Sequence, residues 1–329
     1  MSSREEVTPR MRAVALARRL DPAVLSAFAC IVVLLLLGGL YSTSFFSPEY
    51  LLQQLQVASF LGLVATGMML VILLGHIDLS VPWVLSVGGM MSTAAVSWGG
   101  PWEHLAIPFG IFCGAVFGAA NGIGVAYLRI PAMIFTLGIN AVAQGLMVLR
   151  TGGFAPQDQA SAAMRFIATD RSLFGIPTAV LVWAAVGIAT VFLLTRTGFG
   201  RAVYAIGNSE RAAYLSGADT RRVIFLAFVI SGALAGSAGV LLAGYSTKAY
   251  QSMGDPYLLP AIAAVVLGGT SILGGRGSYL GTVAGVILIT LLQSILSVVQ
   301  MPEAGRQIIY GVVIVAMLLL YGRGERVQG

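Results

Sequence analysis

TRTGFG RAVYAIGNSE RAAYLSGADT RR, residues 195–222, lies between two long apolar runs and carries five arginines. A stretch this polar cannot sit in lipid, where a charged side chain costs at least ~2.5 kcal/mol at the bilayer centre. It is also too short for a domain. Asn208 or Ser209 can cap a short helix running to Leu215 or Ser216, with Gly217 placed to end it. Connectors longer than ~12–15 residues are usually functional. Ala212, Ala213 and Leu215 would give the short helix an apolar side suited to a partner's groove. The plain alternative is a loop whose arginines only fix topology.

The surrounding chain is of one kind. Its 329 residues are 57% hydrophobic and 10% charged, with a mean hydropathy of +0.89, whereas soluble domains carry about 25% charged residues. Apolar runs of roughly 20 residues recur throughout, the mark of a polytopic helical membrane protein. About ten spans are expected, near 23–40, 51–74, 77–98, 105–128, 132–149, 178–194, 223–245, 258–273, 279–299 and 308–321. The 41 glycines suit close helix approach. Two of these runs invite a re-entrant or broken path, one near 76–90 through Pro82 and its glycine pairs, the other near 266–280 through GGTSILGGRG. The expected fold is therefore an all-α integral membrane protein. A single transmembrane domain, 23–322, would lie between tails 1–22 and 323–329, with the run 23–40 retained as its first span because no small-residue cleavage site follows it.

Arginine placement orients the chain. Arg4, Arg10, Arg12, Arg18 and Arg19 precede the first span, five more lie in 195–222, and Arg323 and Arg326 end the chain. An even span count puts all three groups on one side, which the positive-inside rule makes cytoplasmic, both termini included. On the other side, residues 150–176 set Arg150, Arg165 and Arg171 against Asp158 and Asp170, an outer loop long enough to meet a partner. A short echo, Leu74-Gly75 before HIDLSVP and Leu267-Gly268 before GTSILGG, is compatible with a parallel internal repeat.

Few residues offer chemistry. Cys30 and Cys113 fall inside apolar runs and read as packing residues, and His76 and His104 are too few for a metal cluster. Asp78, in GHIDLSVP, can serve a substrate path or gate, or it can cap the third helix; Ser80 and Pro82 favour the cap. His76 reads as its local hydrogen-bond partner. Asn121 and Gln144 are amides within spans, suited to bonding across helices and also to a polyol path. The glycine cluster at 261–281 is not a phosphate loop, since Arg276 stands where lysine is required; it reads as a tight cytoplasmic turn with Arg276 at the headgroups. No nucleophile elbow, HExxH pair or paired carboxylates occur, so neither an energy-converting nor a catalytic site is expected in this chain, and no cofactor.

RAVYAIGNSERAAYLSGADTRRV (201–223), AIAAVVLGGTSILGGRGSYLGTVAG (261–285), GHIDLSV (75–81), NGIGVAYLRIPAMIFTLG (121–138) and QGLMVLRTGG (144–153) resemble the permease subunits of monosaccharide ABC importers, of the ribose/xylose/galactose type. The resemblance runs from about residue 51 to 321 in unbroken motif order. It implies a bacterial inner-membrane subunit that pairs with a second permease copy or a paralogue. A cytoplasmic ATPase would dock on it, and a substrate-binding protein would hand it a sugar; lipid surrounds it and nucleic acid is no partner. By the same resemblance, Gly207, Asn208, Ala212, Leu215, Ser216 and Gly217 correspond to the ATPase-coupling loop. His76, Asp78, Asn121 and Gln144 are the candidate substrate-path or gating residues. The chain departs from the family at His76, where members commonly have a second glycine, and at Pro82, where they have a small residue; the sugar is thereby left open. Other readings are a permease of the same superfamily for branched-chain amino acids or nucleosides, an ion-coupled secondary transporter, and a membrane enzyme. The last two lack the titratable or catalytic constellations they need.

Overall fold

Backbone amides in hydrocarbon must find partners within their own segment, so long apolar runs fold as helices. The computed structural model, which describes residues 22–172 and 175–325, is accordingly helical, and among the described residues no β-strand forms. Along the chain run α1 (Pro22–Tyr41), α2 (Pro48–Leu73), α3 (Val81–Trp98), α4 (Pro101–Gly122, extended by a π turn, Ile123–Tyr127) and α5 (Ala132–Thr151). A short α6 (Ala162–Thr169) precedes α7 (Thr178–Arg196), α8 (Gly198–Asn208) and α9 (Glu210–Leu215). The chain closes with α10 (Thr220–Tyr245), α11 (Leu258–Leu267), α12 (Tyr279–Val298) and α13 (Glu303–Glu325). Arg4, Arg10, Arg12, Arg18, Arg19 and Arg326 lie outside the described residues, as do residues 1–21 of the expected N-terminal tail.

Among the described residues, six helices are long and apolar enough to cross a membrane: α2, α4 with its π turn, α5, α7, α10 and α12. The chain is an α-helical membrane protein. Its centre is α2, whose apolar stretch is almost wholly buried, with α10 wedged between it, α3 and α4. Small residues let that wedge close. Gly110, Gly114 and Gly118 recur every four residues along one face of α4, and a Cβ at Gly114 would overlap the carbonyl of Gly232 on α10. On the periphery, Ala27 and Ile31 of α1 cluster with Ala284 and Leu288 of α12. The outer faces of α1, α5 and α7 expose Leu36, Ile134 and Ile188, as lipid-facing surfaces do.

The two runs suspected of breaking do break, within narrower limits. Residues 74–80 leave the helix, but α3 then runs uninterrupted from Val81 to Trp98. Pro82 sits in its first turn, where a missing N–H costs nothing. Gly88 and Gly89 do not interrupt it either: they seat against Gly236 and Gly239 of α10. The expected span 258–273 is a helix of only 10 residues, α11, about 15 Å at 1.5 Å per residue and half a bilayer deep. Residues 268–278 follow it as a glycine-rich turn, with Gly274 in the left-handed region at φ +92. The two breaks meet: the Gly275 N–H donates to the Leu73 carbonyl at 2.9 Å.

Candidate functional site

The polar segment 195–222 folds as two helices, of which the sequence reading named one. That one is α9. Ser209 caps it, its Oγ accepting the Ala212 N–H at 3.3 Å, and Gly217 at φ +86 ends it, with the Gly217 N–H on the Tyr214 carbonyl at 2.9 Å. Of the anticipated apolar side, Ala213 turns inward and is buried, while Ala212 and Leu215 face outward, Leu215 being 76% exposed. Tyr214 shares the outer surface; it was missed because tyrosine in a polar loop carries no signal of its own.

The second helix, α8, was also missed. Thr197 caps it through the Gly200 N–H at 3.3 Å, and Gly200, Val203 and Ile206 form its buried face at helical spacing. It carries α9 against both membrane breaks. Gly207 lies so close to the Leu73 carbonyl and the Gly275 backbone that a Cβ would overlap both. The Asn208 Nδ2 donates to the Tyr204 carbonyl at 2.8 Å and to the Gly275 carbonyl at 3.4 Å. The Tyr204 hydroxyl donates to the Gly277 carbonyl at 3.0 Å, and burial pushes this phenol above its ordinary pKa, which keeps the donor protonated. At the other end, Glu210 pairs with Arg129, on the turn after α4, and also accepts from the Thr220 hydroxyl at 3.2 Å. Arg129 holds a left-handed backbone, φ 58, to make that reach.

The expected path residues divide. Asp78 is 1% exposed. Its Oδ1 accepts the Ser80 N–H at 2.9 Å, the Ser80 hydroxyl at 2.6 Å and, at 3.4 Å, the Asn121 amide. Its Oδ2 lies 3.5 Å from the Ser231 hydroxyl of α10. The helix cap proper falls on Ser80, so Asp78 supports the start of α3 from two residues upstream while joining it to α4 and α10. Asn121 bridges the same knot, donating to the Ser80 Oγ at 2.6 Å. His76 makes no hydrogen bond to Asp78 among the described residues; its ring lies 6.2 Å from that of Phe228. Together with Arg129 and Glu210 it lines a cavity of about 600 Å³ beside α9. Gln144 stands apart, exposed on α5. One turn before it, Asn140 accepts the Trp83 N–H at 3.3 Å and ties α5 to the start of α3.

Two short helices thus hold a surface loop against both broken elements. Residues 50–318 match the family described as branched-chain amino acid transport system / permease component, and the chain belongs to that permease family. It is 31% identical to the ribose import permease protein RbsC of Haemophilus influenzae, over 89% of this chain and 91% of the relative. Identity to RbsC of Bacillus subtilis is 35%, over 90% and 92% of the two chains. The autoinducer 2 import system permease protein LsrC of Yersinia pestis is 32% identical, over 91% of this chain and 84% of its own. No solved structure matches the chain.

Proposed function

We propose that the protein is the membrane-spanning permease subunit of a bacterial ABC importer, multi-pass in the inner membrane, that passes a monosaccharide inward. The observation that carries the reading is similarity to ribose import permeases along almost the full length of both chains. In this reading about ten segments cross, α11 through its short helix and the 268–278 turn that follows it, and the α8–α9 side is cytoplasmic. A separate ATPase docks on Ala212, Tyr214 and Leu215. The outer loop around α6, with Phe166 exposed, meets the substrate-binding protein, and a second copy or paralogue completes the pair. ATP-driven closure of the ATPase displaces α9, and α8 passes the displacement to the breaks at 74–80 and 268–278. An importer of an autoinducer-2-like solute is the second reading, favoured by the comparable likeness to LsrC.

The test is reconstitution with the candidate ATPase and binding protein, carrying Ala212→Glu or Gly217→Arg. ATPase assembly and ribose uptake should both be lost. Survival of both would refute the docking assignment.

A further inference from the structure

Glu210 is the first residue of α9, and its carboxylate joins three elements. It pairs with Arg129, on the turn after α4, and accepts from the hydroxyl of Thr220, the first residue of α10. Arg129 holds its left-handed backbone, φ 58, at this pair. For a residue with a Cβ that conformation persists only where the surroundings impose it, and such residues gather at clamps and switches. Asp78 repeats the arrangement at the break. It receives the Asn121 amide of α4 at 3.4 Å and lies 3.5 Å from the Ser231 hydroxyl of α10. The same two helices are thus held twice by a carboxylate that belongs to neither, once from α9 and once from the break at 74–80. Thr220 and Ser231 lie about 16 Å apart along α10, at 1.5 Å per residue. Between the two grips the helices meet at backbone distance. A Cβ at Gly118 would overlap the Phe228 carbonyl, and one at Gly122 would press on the Phe225 backbone. With no side chain from α4 at these positions to change rotamer, the two helices shift together.

We propose that Glu210 is a positioning residue for transport: through Arg129 and Thr220 it ties α9 to the α4–α10 pair, which carries the movement of α9 to Asp78. The proposal rests on the reading of α9 as the ATPase-docking helix and names a residue that passes the docking on. This line is separate from the one through α8. There Gly207 meets the break at the Leu73 carbonyl, whereas α4 and α10 hold it at Asp78. One contact fixes a point; two, five residues apart, also fix orientation. The break at 74–80 therefore turns with α9 instead of pivoting about Leu73. The cavity of about 600 Å³ that Arg129 and Glu210 line leaves α9 room to move.

The test uses the full importer in liposomes, with its candidate ATPase and binding protein. The Arg129 and Glu210 side chains are 47% and 37% exposed, and ion pairs so open to water add little to stability. Glu210→Gln should therefore keep its melting temperature and its ATPase assembly, while ribose uptake per ATP hydrolysed falls about five-fold. Exchanging the charges, Arg129→Glu with Glu210→Arg, should restore part of that ratio. A second readout needs no sugar. With Cys30 and Cys113 replaced by serine, Leu79→Cys places a thiol in the break, on a separate cavity lined also by Pro82 and Asn140. ATP should change its rate of labelling by a neutral methanethiosulfonate, and in Glu210→Gln that change should vanish. Retention of either the uptake ratio or the ATP-dependent labelling in Glu210→Gln overturns the proposal, as does labelling that ignores ATP in the otherwise unsubstituted complex. Loss of ATPase assembly in Glu210→Gln would make Glu210 a docking residue and overturn it too. Where the labelling follows ATP through Glu210 but no monosaccharide is carried, the sugar reading falls and the second line stands.

Discussion

Asp78 is the one acidic or basic residue that is fully buried among the described residues, and hydroxyls and amides, not a cation, surround it. Ser80 gives it both its N–H and its hydroxyl, so its removal strands two donors in a site closed to water. Each buried group left unpaired costs about 1–3 kcal/mol. Asp78→Ala should lower the detergent-solubilised melting temperature by several degrees, and Asp78→Asn, which keeps one acceptor, by less; a fluorescence melt decides. Equal melts would show the knot to be inessential to stability. Part of this was legible beforehand. Asp78 two residues ahead of Ser80 and close to Pro82 reads as support for a helix start, and Asn121 reads as glue between helices. Ser231 was not legible, for it arrives from 153 positions away, and spacing along a chain says nothing about such meetings. Asn140 escaped for the same reason: one polar atom in an apolar run is ambiguous until its neighbours are known.

The helices differ in how much a side chain they tolerate. The seam of α4 and α10 is built on glycines whose missing Cβ is occupied by the other helix's backbone, at Gly114 and Gly118 above all. Gly114→Val should cut the yield of folded protein sharply and lower its melting point. Gly138→Ala on α5, where a Cβ meets nothing within 4 Å, should be neutral or slightly stabilising, by up to about 1 kcal/mol. Similar losses at both sites would show that glycine count, not contact, matters. The sequence made clear that glycines would seat helices, but not which ones. Likewise α9 was readable from its cap and its terminal Gly217, since both are local backbone devices. The longer α8 went unread although Gly200, Val203 and Ile206 repeat at helical spacing, because five arginines dominated the segment.

For the molecule entire, the proposed sidedness makes a direct demand. On a cysteine-free background, Leu215→Cys should react with an impermeant maleimide only from the cytoplasmic face, and Phe154→Cys only from the outer one. Labelling of both from one face would overturn the topology. The sequence conveyed the membrane class through composition, and its arginine distribution supplied a sidedness to test. It could not convey that two breaks, nearly two hundred residues apart, would close on each other, since that meeting depends on every helix between them.

That meeting bears on compliance. Gly207, Gly275 and Leu73 touch through carbonyls and amides, with no long side chain interposed whose rotamers might yield. Springs in series deform first at the softest, and here the soft member has been left out. In the proposed mechanism, a small displacement at α9 would therefore reach the breaks with little lost in transit. The stroke that mechanism needs would be correspondingly short.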